Sequence, residues 1–138
     1  MILLDTNILS EVMRISPEPA VMTWIDAQKR NELWTCTIVV AEVLSGLDLM
    51  PAGKRQTLLR GKAEQMFSTF FSDRILPFDQ AAARSYGIIL RTRKAIGKPI
   101  DEMDGLIAAT ALAHGATLAT RNISDFERAG IPLVNPWL

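Results

Sequence analysis

The 138-residue chain has a single cysteine, Cys36, a single histidine, His114, and no surplus of either charge, with fifteen Lys and Arg against fifteen Asp and Glu. One cysteine excludes an internal disulfide and suits a reducing compartment. The balanced charge excludes a globally basic nucleic-acid binder, so any attraction for phosphates must come from local patches or a bound cation. No stretch reaches the roughly 18 apolar residues of a membrane helix. The opening residues have neither a basic region nor a long apolar run, which predicts no secretory signal and a cytoplasmic protein. Repeats, low-complexity segments and linkers are also missing, and a single domain over residues 1–138 is expected.

What remains is ordinary globular material, with 49% hydrophobic and 22% charged residues. A chain of this size buries roughly two-thirds of its unfolded surface, enough for a core without staples. Residues 1–4 form an apolar run that stops at an acid and predict a buried, central strand. A short helix is expected over residues 8–14. Ser16 and Pro17 supply an N-cap and a first-turn proline for a helix over 17–29. Residues 33–36 predict a second strand. Thr37 is placed to cap the next helix, whose apolar positions are Val40, Val43, Leu44 and Leu47. Residues 51–53 break that helix, and another follows over 55–71, with Leu58, Leu59, Met66, Phe67 and Phe70 as its apolar positions. A third strand at 75–78 leads to a helix capped by Asp79 and running to Ala95. A further helix covers 101–114, with Gly115 as its stop. Strands at 117–120 and 132–134 flank a helical turn at 124–126. Strands alternating with helices predict an α/β sandwich with a mostly parallel sheet.

In such sheets ligands bind beyond the carboxyl ends of the strands. Asp5 follows the first strand, Asn122 follows the fourth, and Asp125 lies three residues on. Asp101 and Asp104 share one face at a helix start. Glu42 lies inside an otherwise apolar helical stretch, where an unsatisfied carboxylate is costly. Two unit charges at about 4 Å repel by roughly 4 kcal/mol at an effective dielectric near 20. Converging carboxylates must therefore hold protons or share a cation. Oxygen ligands without His or Cys suit Mg²⁺ or Mn²⁺. Each acid also has a plainer role. Asp5, Asp101 and Asp125 can cap helices, and Glu42 can lie on a solvated turn. The residues alone lead to an acidic site that can hold a metal, and no further.

The segments Met1-Ile-Leu-Leu-Asp-Thr-Asn7, Ile38-Val-Val-Ala-Glu-Val-Leu-Ser-Gly46, Pro99-Ile-Asp-Glu-Met-Asp-Gly-Leu-Ile-Ala-Ala-Thr-Ala111, Leu118-Ala-Thr-Arg-Asn-Ile-Ser-Asp-Phe126 and Asn135-Pro-Trp137 resemble, in order and over nearly the whole chain, the motifs of PIN-domain proteins. The likeness is greatest to the VapC and FitB toxins of bacterial toxin–antitoxin pairs. It implies a PIN-like three-layer sandwich with a five-stranded, mostly parallel sheet flanked by helices. It also implies RNA cleavage dependent on Mg²⁺ or Mn²⁺. Carried over by position, Asp5, Glu42 and Asp104 would be catalytic acids and metal ligands. The fourth acidic position falls at Asn122, where many members have Asp. Asn122 would offer a carbonyl oxygen, and Asp125 is the other candidate for the missing charge. Thr6 and Thr120 would be supporting hydroxyls. With a bound cation supplying an activated water, no protein nucleophile is required. His114 reads as a helix-terminus residue rather than a general base.

Arg121, Arg91 and Arg93, with Lys94 and Lys98 nearby, are candidate RNA contacts, although a helix end also favours cations through its dipole. The resemblance further implies a VapB/FitA-like antitoxin whose complex binds operator DNA, and a homodimer. Met22, Trp24, Leu47, Leu49 and Met50 could serve either interface, or the core. Three rival readings stand beside the nuclease toxin. One is a catalytically inactive PIN domain that binds its antitoxin in a DNA-bound repressor, which Asn122 favours. The second is a DNA nuclease or phosphatase using the same acids. The third makes Asp5 a phosphoacceptor.

Overall fold

The computed structural model describes residues 1–138. Five short strands are β1 (Ile2–Leu4), β2 (Leu33–Cys36), β3 (Ile75–Leu76), β4 (Thr117–Ala119) and β5 (Leu133–Val134). They form one sheet in the order β3-β2-β1-β4-β5, and every pairing is parallel. The apolar run before Asp5 is thus the central strand, as expected, with Leu3 and Leu4 buried. A parallel sheet needs crossover segments, and the helices between the strands supply them. These are α1 (Thr6–Val12), α2 (Pro19–Asp26), α3 (Thr37–Asp48), α4 (Lys54–Gln65), α5 (Gln80–Ala95), α6 (Glu102–His114) and α7 (Ile123–Phe126). A cluster of 25 buried residues forms the core. No helix is long and apolar enough to cross a membrane.

Several helix ends differ from expectation, each for a local reason. Pro19, not Pro17, takes the first position of α2, and Glu18 stands at its N-cap without a side-chain bond. The backbone N–H of Glu18 instead donates to the buried carboxylate of Glu11, 3.1 Å away, which fixes the α1–α2 turn. Thr37 begins α3 rather than capping it, and its hydroxyl accepts from the Phe78 N–H at 3.1 Å. Met66–Phe70 widens from α4 into a π-helical turn, and Leu58 faces solvent. Asp79 caps α5 by accepting from the Ala82 N–H at 2.9 Å, as predicted. Gly115 ends α6 with φ 63°, a left-handed conformation that glycine adopts without strain. Of the five apolar candidates for an interface, Leu47 is buried and Leu49 is 87% exposed, while Trp24 and Met50 pack against the core.

Arg93 requires a correction. It lies buried in α5, where one guanidinium nitrogen donates to the carbonyls of Ser124, at 3.3 Å, and Glu127, at 2.6 Å. It ties α5 to the end of α7 and is closed to RNA. Replacing it by Ala leaves two carbonyls without their donor and opens a cavity. Arg93→Ala is expected to destabilise the fold by about 2–4 kcal/mol in urea denaturation. An unchanged midpoint would show that this tie is idle.

Candidate active site

The chain runs from β1 to β2 and β3 on one side of the sheet, then to β4 and β5 on the other. The order therefore reverses between β1 and β4, and a crevice opens beyond their carboxyl ends. Asp5 directly follows β1 and Thr120 directly follows β4, so the crevice brings them together although 115 residues separate them. The Thr120 hydroxyl donates to Asp5 Oδ2 at 2.8 Å, and the Asp5 N–H donates to the Ala119 carbonyl at 3.0 Å. Asp5 is also the N-cap of α1, its Oδ1 accepting from the Thr6 N–H at 2.8 Å. The capping role and the site role thus coincide in one buried side chain.

Glu42 approaches from the middle of α3. Its Oε1 accepts from the Thr6 hydroxyl at 2.8 Å. The Thr6 hydroxyl thus holds Glu42, and the Thr120 hydroxyl holds Asp5. Asp104 comes from the first turn of α6. Asp5, Thr6, Glu42, Asp104, Arg121 and Asn122 all line one groove of about 1070 Å³. A second cavity of about 470 Å³ beneath α2 is mostly apolar and contains none of these acids. The chemistry assigns the site to the first.

The acids act on one another. Burial, followed by the charges of Asp5, Asp101, Asp125 and Glu42, pushes the Asp104 carboxyl up from 3.8 to about 7. Burial also raises Asp5, opposed by its bonds from Thr120 and Thr6 and reinforced by Glu42 and Asp125. Cys36 is buried nearby, and desolvation lifts its thiol to about 11, which leaves it inert. The ion pairs of the protein are Arg14–Glu11, Arg60–Asp48, Lys98–Glu127 and His114–Asp79, so Asp5, Glu42 and Asp104 are in no ion pair.

As the side chains stand, no three acids converge on a single point as a ligand set. Mg²⁺ usually keeps several waters and needs only one or two protein carboxylates, so a closed set is not required. The all-oxygen donors, with Asp5, Glu42 and Asp104 in no ion pair, fit a hard divalent cation.

Asn122 faces the groove, its N–H donating to Thr120 Oγ1 at 3.1 Å. Asp125 is not the cap of α7, a position held by Asn122. Asp125 contributes field to Asp5 and Asp104 but does not line the groove. Arg121 is exposed at the groove, whereas Arg91 is exposed on α5 and does not line it. Lys98 is paired with Glu127 at 2.7 Å. His114 ends α6, with Nε2 3.7 Å from Asp79 rather than at the acids.

Sequence reasoning passed over Glu11, Arg14, Arg55 and Lys62, which also line the groove. Glu11 carried the same signal as Glu42, an acid among apolar helical neighbours. Its carboxylate accepts from Arg14 at 3.0 Å, so its burial is compensated.

The sequence pattern of the PIN domain matches residues 2–132. A VapC ribonuclease of Sinorhizobium fredii is 47% identical over 137 residues, spanning 99% of this chain and 98% of its own. The toxin FitB of Neisseria gonorrhoeae is 41% identical over 137 residues, spanning 99% of both chains. The structure of FitAB bound to an IR36 DNA fragment superposes with a TM-score of 0.93 at 40% identity, covering 100% of this chain and 96% of that one.

Proposed function

This chain belongs to the PIN-domain family of VapC and FitB toxins, and on that premise we propose that it is a cytoplasmic endoribonuclease toxin dependent on Mg²⁺ or Mn²⁺. The observation that carries this reading is the trio Asp5, Glu42 and Asp104, mutually repelling, in no ion pair, at the reversal point of a parallel sheet. A divalent cation there would activate water and stabilise charge on the phosphoryl oxygens. Asp5 and Asp104 are the residues to hold it, with Glu42 joining directly or through water. Thr120 and the Thr6 N–H fix the two oxygens of Asp5, and the Thr6 hydroxyl fixes Glu42, so the acids are oriented before substrate arrives. Asp104, titrating near neutrality, can hold or release a proton at its carboxylate. Asn122 offers a neutral oxygen where a fourth acid would add charge. Arg121, exposed beside them, is placed to bind a phosphate next to the cut.

A nuclease of cellular RNA has to be silenced in the cell that makes it. The FitAB assembly on DNA supports a VapB/FitA-like antitoxin whose complex with this chain binds operator DNA. Acids that are in no ion pair would accept an arginine from such a partner. A homodimer is proposed on family grounds.

Purified, partner-free protein incubated with total cellular RNA is expected to cut in Mg²⁺ or Mn²⁺ and to stop in EDTA. Single-stranded DNA and a phosphate monoester are expected to survive. Folded protein that cuts nothing in any metal would overturn the nuclease reading. It would leave the inactive antitoxin-binding module, the reading favoured by the neutral Asn122.

A further inference from the structure

The last residues of the chain return to the acid groove. Trp137 lines it together with Asp5, Asp104, Arg121 and Asn122. The Arg121 guanidinium carbon lies over the Trp137 ring, 5.2 Å from its centroid. The backbone around the pair is also pinned. The Trp137 N–H donates to Asn135 Oδ1 at 2.9 Å, and Asn135 Nδ2 donates to the Arg121 carbonyl at 3.5 Å. The Arg121 N–H donates to Asn7 Oδ1 at 3.4 Å. One residue on, the Asn122 N–H reaches the Thr120 hydroxyl that holds Asp5. A short run of hydrogen bonds therefore connects the C-terminal turn to the acids.

An exposed arginine beside a cluster of carboxylates would ordinarily swing onto them. Here Arg121 is in no ion pair with an acid. Its guanidinium instead lies on an aromatic face, an arrangement favoured by the ring quadrupole and one that leaves its N–H edge available. A planar cation lying over a ring, with donors unspent, suits single-stranded nucleic acid. The edge takes a phosphate and the outer face offers a surface on which a base can stack.

We propose that Trp137 is a positioning residue that holds Arg121 as a platform for the nucleotide flanking the scissile phosphate. This rests on the ribonuclease reading and adds to it the way the substrate is seated.

The test is binding of a fluorescein-labelled single-stranded RNA, followed by anisotropy in EDTA at several salt concentrations, with the RNA confirmed intact afterwards. Arg121→Ala is expected to weaken binding about tenfold at low salt and to reduce the slope of log K against log salt by roughly 0.7, one phosphate contact on a single strand. Trp137→Leu, which keeps apolar bulk without an aromatic face, is expected to lose about as much. Trp137→Phe is expected to stay within about threefold of the native protein. The double variant Trp137→Leu/Arg121→Ala is expected to be no worse than Arg121→Ala alone, because the two side chains act as one unit. Native-like binding by Trp137→Leu at unchanged melting temperature would overturn the proposal. So would losses that add in the double variant, which would give Trp137 an independent part. If the native protein binds no RNA in EDTA the platform falls, and the ribonuclease reading falls with it only if no RNA is cut in Mg²⁺ or Mn²⁺. If the native protein binds RNA and only the Trp137 pattern fails, that reading survives.

Discussion

Replacing Asp5 by Asn is expected to lower kcat/KM for metal-supported RNA cleavage by about a hundredfold or more, the scale of losing one group that stabilises transition-state charge. The substitution is nearly isosteric. The new amide oxygen can still accept from the Thr6 N–H that now reaches Asp5 Oδ1, so the cap of α1 persists. On the other side the amide nitrogen would face the Thr120 hydroxyl, which can accept once its own proton turns away from Asp5. What disappears is a buried negative charge in a pocket already crowded with them. The metal-free variant is therefore expected to be at least as stable as the native protein at pH 8, because a desolvated charge has been removed. Cleavage of a defined RNA oligonucleotide and a thermal melt in EDTA measure the two quantities. Activity within threefold of native would remove Asp5 from the site. A large fall in melting temperature would make it a structural cap and nothing more.

The second large effect is a pH dependence that reverses the usual behaviour of a carboxylate. Asp104 titrates at about 7 in the fold against an ordinary 3.8, so between those values the folded chain retains a proton that the unfolded chain has lost. Stability from this group is complete below the unfolded value and is lost as pH rises through the folded one. Asp5 is shifted in the same direction. The metal-free protein is thus expected to be less stable at pH 8 than at pH 5 through Asp104. A divalent cation displaces that proton, so its affinity is expected to climb up to about pH 7, and it should restore the stability lost at pH 8. Urea denaturation at both pH values, with EDTA or Mn²⁺, gives the numbers. Asp104→Asn is the control and should flatten the difference. Equal pH dependence in native protein and Asp104→Asn would show that the acids are not coupled as their positions require.

Both predictions rest on residues whose importance could be suspected from the chain alone. Asp5 at the end of an apolar run, Glu42 in an apolar helix and Asp104 at a helix start were all conspicuous by position. The strands were legible for the same reason. Residues 33–36 were bounded correctly because the apolar stretch is short and a helical pattern follows at once. The central place of β1 followed from its continuous apolar character. Gly115 was readable as a stop because only a left-handed residue ends α6 there. The failures are as instructive. Pro17 and Pro19 both satisfy the first-turn rule, and the choice between them was made by Glu11, which holds the Glu18 N–H in the preceding turn. Asp125 looked like a cap, but the short α7 begins at Ile123, so Asp125 lies inside its first turn. Arg93 sat in a basic run that reads as solvated, and nothing local distinguishes it from Arg91. Only the packing of α5 toward α7 buries one and exposes the other.

The sequence by itself determined the alternation of strand and helix, the central strand, the inventory of acids and the family to which the chain belongs. Those properties are written in short-range periodicity and in ordered motifs. Tertiary structure decided which groups meet. Thr120 reaches Asp5 because β1 and β4 are neighbours at the point where the strand order reverses. Thr6 reaches Glu42 because α1 packs against α3, and Arg121 lies on Trp137 because β4 and β5 pair and bring the C-terminal turn to the groove. Hydrophobic periodicity specifies which face of an element is buried. The charges that confront one another across the groove are set by sheet order, and that order exists only once the chain is folded.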